Sequence, residues 1–463
     1  MKTTLLKFIL FFSCWTTVAQ FGPQQLITNT SPFPSRSIPL DIDNDGYLDV
    51  LTSSDNKLKW FRNLDGQGNF SDEIIISDNI ALYLTIDFVD IDSDGDNDLV
   101  YLENNPRKLE WLENIDGQGN FGSVQVILEN QSNYIFGVRY YDIDDDDDLD
   151  LVINYSDTFR EWIVWYENID GQGTFGNETV LIEGNIISEI YPPLFVDIDN
   201  DGLLDVLTSY EELSGPAKLV WYKNLGNTTF GQEQLIYQFQ FIQSDWTSIY
   251  DIKYIDINSD NNPDIFITSH NDDIGTSQYW LENLNNQGGF TEIQFVPNVL
   301  GFYNFYDLDN DGDNDILGGT RFGDIFYWME NENGLGNFSE RKIISTEIDF
   351  IRDAKAADFN NDGYLDVVSA SSGDNKIAWY ENEVLGIEDN SENVFKLYPN
   401  PTRGKMFINT PQLVSLVEVF DIIGQKVYTT TTELDISTVP SGIYLVKIYD
   451  ESGFSETHKI IKE

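Results

Sequence analysis

Short runs of alternating apolar and polar residues fill most of the chain, as in "YLDVLTSS" (47–54), "KLKWFRN" (57–63) and "FSDEIIIS" (70–77). A period of two, broken by Gly, Asn and Asp, predicts short β-strands with one packed face. The runs repeat. A cluster of aspartates begins at Asp41, Asp90, Asp142, Asp197, Asp256, Asp307 and Asp358, at intervals of 49 to 59 residues. Trp-x-x-Asn follows 19 to 24 residues after each start: Trp60/Asn63, Trp111/Asn114, Trp165/Asn168, Trp221/Asn224, Trp280/Asn283, Trp328/Asn331 and Trp379/Asn382. Six of these lead through a turn such as "DGQGNF" (65–70) to Phe70, Phe121, Phe175, Phe230, Phe290 or Phe338. The seventh has no such Phe after it, whereas "FGPQQLI" at Phe21 has no Trp before it. Four strands per repeat, seven repeats and one strand borrowed from the N-terminus predict an all-β fold, a seven-bladed propeller closed by its own ends. The tryptophans and phenylalanines then read as packing between blades.

Charge narrows the partners. With 79 acidic against 26 basic residues among 463, the formal charge is -53, which excludes nucleic acid and anionic membranes as partners. At 41% hydrophobic and 14% aromatic, the chain nonetheless carries enough apolar surface for a sizeable core. Residues 1–19 have the order of a secretory signal peptide: Lys2, the apolar run Leu5 to Phe12, then Thr17-Val18-Ala19. A lipoprotein signal around Cys14 is the rival reading, with bulky Phe11 against it. Cleavage after Ala19 would remove Cys14, the single cysteine, and with it any disulfide or thiol chemistry. Nothing else reaches the roughly 18 apolar residues of a membrane-spanning helix.

The aspartate clusters have the donor spacing of a calcium loop, with side-chain oxygens at positions 1, 3, 5 and 9 and a backbone carbonyl at 7. The first loop offers Asp41, Asp43, Asp45, the Tyr47 carbonyl and Asp49. The second and third offer Asp90, Asp92, Asp94 and Asp98, then Asp142, Asp144, Asp146 and Asp150. The fourth and fifth offer Asp197, Asp199, Asp201 and Asp205, then Asp256, Asn258, Asp260 and Asp264. The sixth and seventh offer Asp307, Asp309, Asp311 and Asp315, then Asp358, Asn360, Asp362 and Asp366. Position 6 calls for positive φ and is Gly46, Gly95, Gly202, Gly312 and Gly363 in five loops. Asp147 and Asn261 replace it in the third and fifth, which marks those two as the weaker sites. An EF-hand would need Glu at position 12, where this chain has Thr52, Tyr101, Ile153, Thr208, Ile267, Gly318 and Ser369. Up to seven Ca²⁺ ions are expected, and binding them would form part of the folding free energy.

The repeat "DxDxDGxxDV…WxxN…FG" resembles the FG-GAP or VCBS repeat, the calcium-binding propeller of integrin α heads and of some lectins. The resemblance covers about residues 21–383. It implies the fold and the metal, and leaves adhesion, lectin activity and, in some lyases, catalysis open.

We expect the propeller to span residues 20–384, followed by a polar linker at 385–393 and a small β-sandwich at 394–463. In that last segment Tyr398-Pro399-Asn400-Pro401, Gly404, Gly424, Ser441-Gly442-Ile443-Tyr444, Lys459 and Lys462 resemble the type A C-terminal sorting domain of the type IX secretion system. The resemblance implies recognition by that machinery and an extracellular or surface location on a Gram-negative cell.

Catalysis finds little support, since the chain has two histidines, His270 and His458, and expects no mature cysteine. A carboxylate-based lyase or hydrolase stays open as an alternative, as does a purely structural surface protein. A secreted or surface adhesion module for a glycan or protein ligand is the preferred reading. The tryptophans that the repeat does not explain, Trp162 and Trp246, fall in inserted stretches and are assigned to loops on the face opposite the aspartate turns. Arg160, Glu161, Glu211, Glu212, His270 and Asp272 should share that face, where aromatics and polar groups suit a sugar.

Overall fold

A computed structural model describes residues 20–463 except 79–81, 105–106, 130–133, 145, 157–160, 185–192, 211–216, 240–246, 272–274, 321–323, 384–394, 399–401, 411–413, 422–425, 432–433, 451–454 and 463. The expected signal segment, Arg160, Glu211, Glu212, Trp246 and Asp272 therefore lie outside the described residues. The chain forms two compact units that divide between Val384 and Leu385.

The first unit consists of seven four-stranded antiparallel sheets. Blade one runs Ile38–Leu40, Asp49–Ser54, Lys57–Phe61 and Ile74–Asp78, and each later blade repeats this order. Blade seven takes Ile351–Ala357, Asp366–Ser371 and Lys376–Tyr380 from the end of the unit, and its fourth strand, Gln25–Thr28, from the start. Phe21 bridges Asn382 as Phe70 bridges Asn63 in blade one, so the borrowed segment completes the motif as well as the sheet.

The core lies between blades. Each of seven apolar clusters draws on two neighbours, and the one that closes the ring joins Val50 and Phe61 of blade one to Phe359, Val368 and Trp379 of blade seven. Second strands such as Asp49–Ser54 are buried throughout, whereas fourth strands such as Ile74–Asp78 are largely exposed. The tryptophans do pack between blades as expected. Gly119 of blade two has φ +76 and lies so close to the Trp60 ring of blade one that an added Cβ would stand 2.8 Å from it. Gly173 meets Trp111 in the same way, at 2.7 Å, so the turn is glycine both for its backbone conformation and for the indole beneath it.

The second unit has a three-stranded sheet (Lys396–Tyr398, Lys405–Asn409, Leu434–Asp435) and a four-stranded one (Lys426–Thr430, Val414–Asp421, Gly442–Asp450, Ser455–Lys462). They share a core that includes Phe395, Met406, Val417, Leu434, Val446 and Ile460.

Candidate metal centre

Every aspartate turn joins the first strand of a blade to the second, and eight residues separate those strands in all seven copies. Hydrogen bonds within the turn impose its shape. The position 1 carboxylate accepts the N–H of positions 5 and 6, as Asp41 does from Asp45 (3.1 Å) and Gly46 (2.9 Å). The position 5 carboxylate accepts the N–H of position 7, as Asp45 does from Tyr47 at 3.0 Å. Position 6 has positive φ everywhere, including Asp147 (+71) and Asn261 (+65), so both substituted loops adopt the same turn. Position 4 has positive φ too, at Asn44, Ser93, Asn200, Ser259, Asn310 and Asn361. The run of Asn and Ser at that position is the sequence signal for it.

Position 9 does more than close the loop. Asp49 is fully buried, and it accepts the N–H of Ile42 (3.2 Å) on one oxygen and that of Asn63 (2.7 Å) on the other. All seven copies make this pair of bonds. The Trp-x-x-Asn asparagine then extends the link outward. Asn168 Nδ2 donates to the carbonyl of Ile91, inside the aspartate turn of the preceding blade, at 3.0 Å. Its Oδ1 accepts the N–H of Gly173, the glycine under Trp111, at 3.0 Å. Asn63, Asn114, Asn331 and Asn382 reach the preceding turn likewise. Asn224 and Asn283 bond within their own blades instead, and Tyr254 Oη donates to the Asp197 carbonyl between blades four and five.

These turns can hold a hard cation. In five of them three carboxylates each place an oxygen within 4.8 Å of the others, led by Asp41, Asp90, Asp142, Asp197 and Asp307. The position 3 carboxylates Asp43, Asp92, Asp199 and Asp309 each bury an Oδ1 that has no hydrogen-bond partner, the atom a cation would satisfy. Position 7 adds carboxylates that the spacing argument did not use: Oδ1 of Asp148 and of Asp313 is buried and unpaired as well. Burial, and secondarily neighbouring carboxylates, push Asp144, Asp309, Asp148 and Asp313 up to about 6. Burial pushes Asp49, Asp98, Asp264, Asp315 and Asp366 up to about 7 and Asp205 to about 6, against the backbone N–H groups that favour the ionised form.

A model of the FG-GAP-like repeat matches residues 41–101, 90–153, 197–267 and 307–369, which take in all seven aspartate turns and more than half of the chain. The chain belongs to the FG-GAP-like repeat family. In this member the repeats are followed by a secretion system C-terminal sorting domain at residues 396–463, which marks the protein for secretion or surface export by the type IX machinery. Among the described residues no helix is long and apolar enough to cross a membrane. No curated protein matches. Among solved structures the repeat protein is similar to a lectin of Agrocybe aegerita that recognises non-reducing terminal N-acetylglucosamine. They share 19% identity over 67% of this chain and 80% of that one, at a TM-score of 0.49. It is also similar to a protein from Lactobacillus plantarum (12% identity, 68% and 85% covered, TM-score 0.43) and to the Dos1 propeller (11%, 72% and 74%, 0.38).

Of the residues assigned to the opposite face, Glu161, Trp162 and His270 are among the described residues. Trp162 sits in the strand Glu161–Tyr166 rather than in the loop before it, opposite Tyr155, with ring centroids 5.3 Å apart. The alternation of "EWIVWY" continues the strand that far, and the indole is half-buried against the core of blades two and three. His270 lies in Asp264–Asn271, its Nδ1 3.3 Å from Thr276 Oγ1 and its ring 5.7 Å from Tyr250.

Two predictions follow from this geometry. Asn168→Ala strands the Ile91 carbonyl and the Gly173 N–H, and should cost about 2–4 kcal/mol in chemical denaturation. With folded-state pKa values raised to about 6 to 7, Asp49, Asp98, Asp205, Asp264, Asp315 and Asp366 should contribute stability to metal-free protein that is complete below about pH 4 and lost as pH rises through 6 to 7. Protein passed over a chelating resin should melt lower at pH 7.5 than at pH 5, and added divalent cation should reverse that order.

Proposed function

We propose that this protein is an exported, calcium-loaded propeller that binds a glycan or a surface protein in the extracellular space or on the outer surface of a Gram-negative cell. The observation that carries the metal is the buried, unpaired carboxylate oxygen at position 3 of four separate turns, each beside further carboxylates on the same turn. An all-oxygen cage of carboxylates and one carbonyl suits calcium over softer metals, and its seven copies suit the millimolar calcium met outside cells. The family and the sorting domain support the same location and role. The ligand surface in this reading is the face opposite the calcium turns, with Trp162, His270 and, outside the described residues, Arg160 and Trp246.

Thermal melts of the chain from Gln20 in 10 mM calcium and after chelation test the metal. Sites with dissociation constants of about 0.1–1 mM would each stabilise by about 1.4–2.7 kcal/mol, so a large upward shift in Tm is expected. An unchanged melt would remove calcium from the reading. A glycan array on the calcium-loaded protein tests the ligand. A sugar hit should weaken at least tenfold in a Trp246→Ala/Arg160→Ala variant whose melt is unchanged, and persistence at full strength would move the site elsewhere.

A further inference from the structure

One residue at the end of each third strand divides the seven calcium turns into two kinds. The position just before the Trp-x-x-Asn asparagine is Glu113, Glu167, Glu282, Glu330 and Glu381 in blades two, three, five, six and seven, but Arg62 in blade one and Lys223 in blade four. The antiparallel pairing of second and third strands sets this side chain beside its own aspartate turn, as the buried bond from Asn63 to Asp49 fixes.

In blades one and four the position carries a cation, and that cation already lies on the cage. Arg62 Nε is 2.6 Å from Asp43 Oδ2, and Nη2 donates to Asp45 Oδ2 at 2.8 Å, so one guanidinium spans positions 3 and 5. Lys223 Nζ spans the same two positions, contacting Asp199 and lying 2.7 Å from Asp201 Oδ2. In the other blades the position adds negative charge. Asn258 Nδ2 donates to Glu282 Oε1 at 3.3 Å, and Asn360 Nδ2 to Glu381 Oε1 at 3.3 Å, which places those glutamates at position 3 of their turns. Counting positions 1, 3, 5 and 9 with this residue, the formal charge is -3 for turns one and four, -4 for five and seven, and -5 for two, three and six.

We propose that Arg62 and Lys223 are resident counter-ions that hold turns one and four in shape without metal and lower their affinity for calcium. The proposal rests on the calcium reading and refines it. The sites form two classes, five that depend on the ion and two in which the ion must displace a side-chain cation from two of its carboxylate ligands. Displacing a bidentate pair and binding next to the freed positive charge both weaken the ion, and tenfold or more is the expected difference. The placement also has a structural sense. Blade one lies at the seam where the chain closes on its own N-terminus, and blade four is one of two whose asparagine does not reach the preceding turn.

Calcium titration of the metal-free chain from Gln20, followed by calorimetry and by native mass spectrometry, tests this with Ca²⁺ alone as the probe. Wild type should bind five ions in a tight class and two at least tenfold more weakly. Arg62→Glu should raise the tight class to six, and Arg62→Glu/Lys223→Glu to seven, while lowering the Tm of the metal-free protein. Arg62→Gln/Lys223→Gln, a milder change that removes only the cations, should tighten the two weak sites without disturbing the fold seen by circular dichroism. Seven equivalent ions in wild type, or a tight class that stays at five in the folded glutamine variant, would overturn the proposal. Binding of no ion by any of these proteins would instead defeat the calcium reading beneath it.

Discussion

Two hydrogen bonds to one buried carboxylate organise each repeat. The position 9 aspartate faces the start of its own turn with one oxygen and the third strand with the other, so turn geometry and sheet geometry cannot vary independently. The asparagine whose N–H donates the second bond then reaches across to the preceding turn in five of the seven blades. A blade is therefore fixed to the next through the same atoms that shape the metal cage. This explains why a motif pair separated by some twenty residues recurs as a unit, and why Trp60, Trp111, Trp221, Trp280, Trp328 and Trp379, three residues before their asparagines, meet the adjoining blade.

That arrangement concentrates charge where water is scarce. Burial lifts the carboxylates at positions 3 and 9, and the surrounding carboxylates at positions 1 and 5 add repulsion that backbone N–H groups only partly offset. Against that strain stand an arginine or a lysine spanning two of the cages and the apolar contacts between blades. A divalent cation seated in these turns would relieve the same strain, and its binding would then be coupled to the stability of the propeller.

Much of this was legible in the sequence because the repeat is strict. Strand alternation, the seven aspartate clusters and the displaced Phe21 motif fixed the blade count and the closure by Gln25–Thr28 before any coordinates. Doubt over the third and fifth turns came from Asp147 and Asn261, and their positive φ shows that short polar side chains suffice there. The asparagine latch was visible as seven intact copies, but its partners lie in the preceding repeat and no local pattern points to them. Trp162 was misplaced for a different reason: a lone aromatic at the end of an alternating run reads equally as loop or strand, and pairing with Tyr155 decides it.

The same strictness bears on the ligand face proposed above. The aspartate turns have one length in all seven blades, and their side chains are engaged with the backbone and with neighbouring blades. On the opposite face the connections between second and third strands vary from two residues in blade one to seven in blade four. A rim built from one backbone turn repeated seven times offers little variety of shape, whereas loops of unequal length on a fixed scaffold can differ in shape and chemistry from blade to blade. In the proposed reading calcium would act on the ligand at a distance, by holding rigid the blades from which the variable loops emerge.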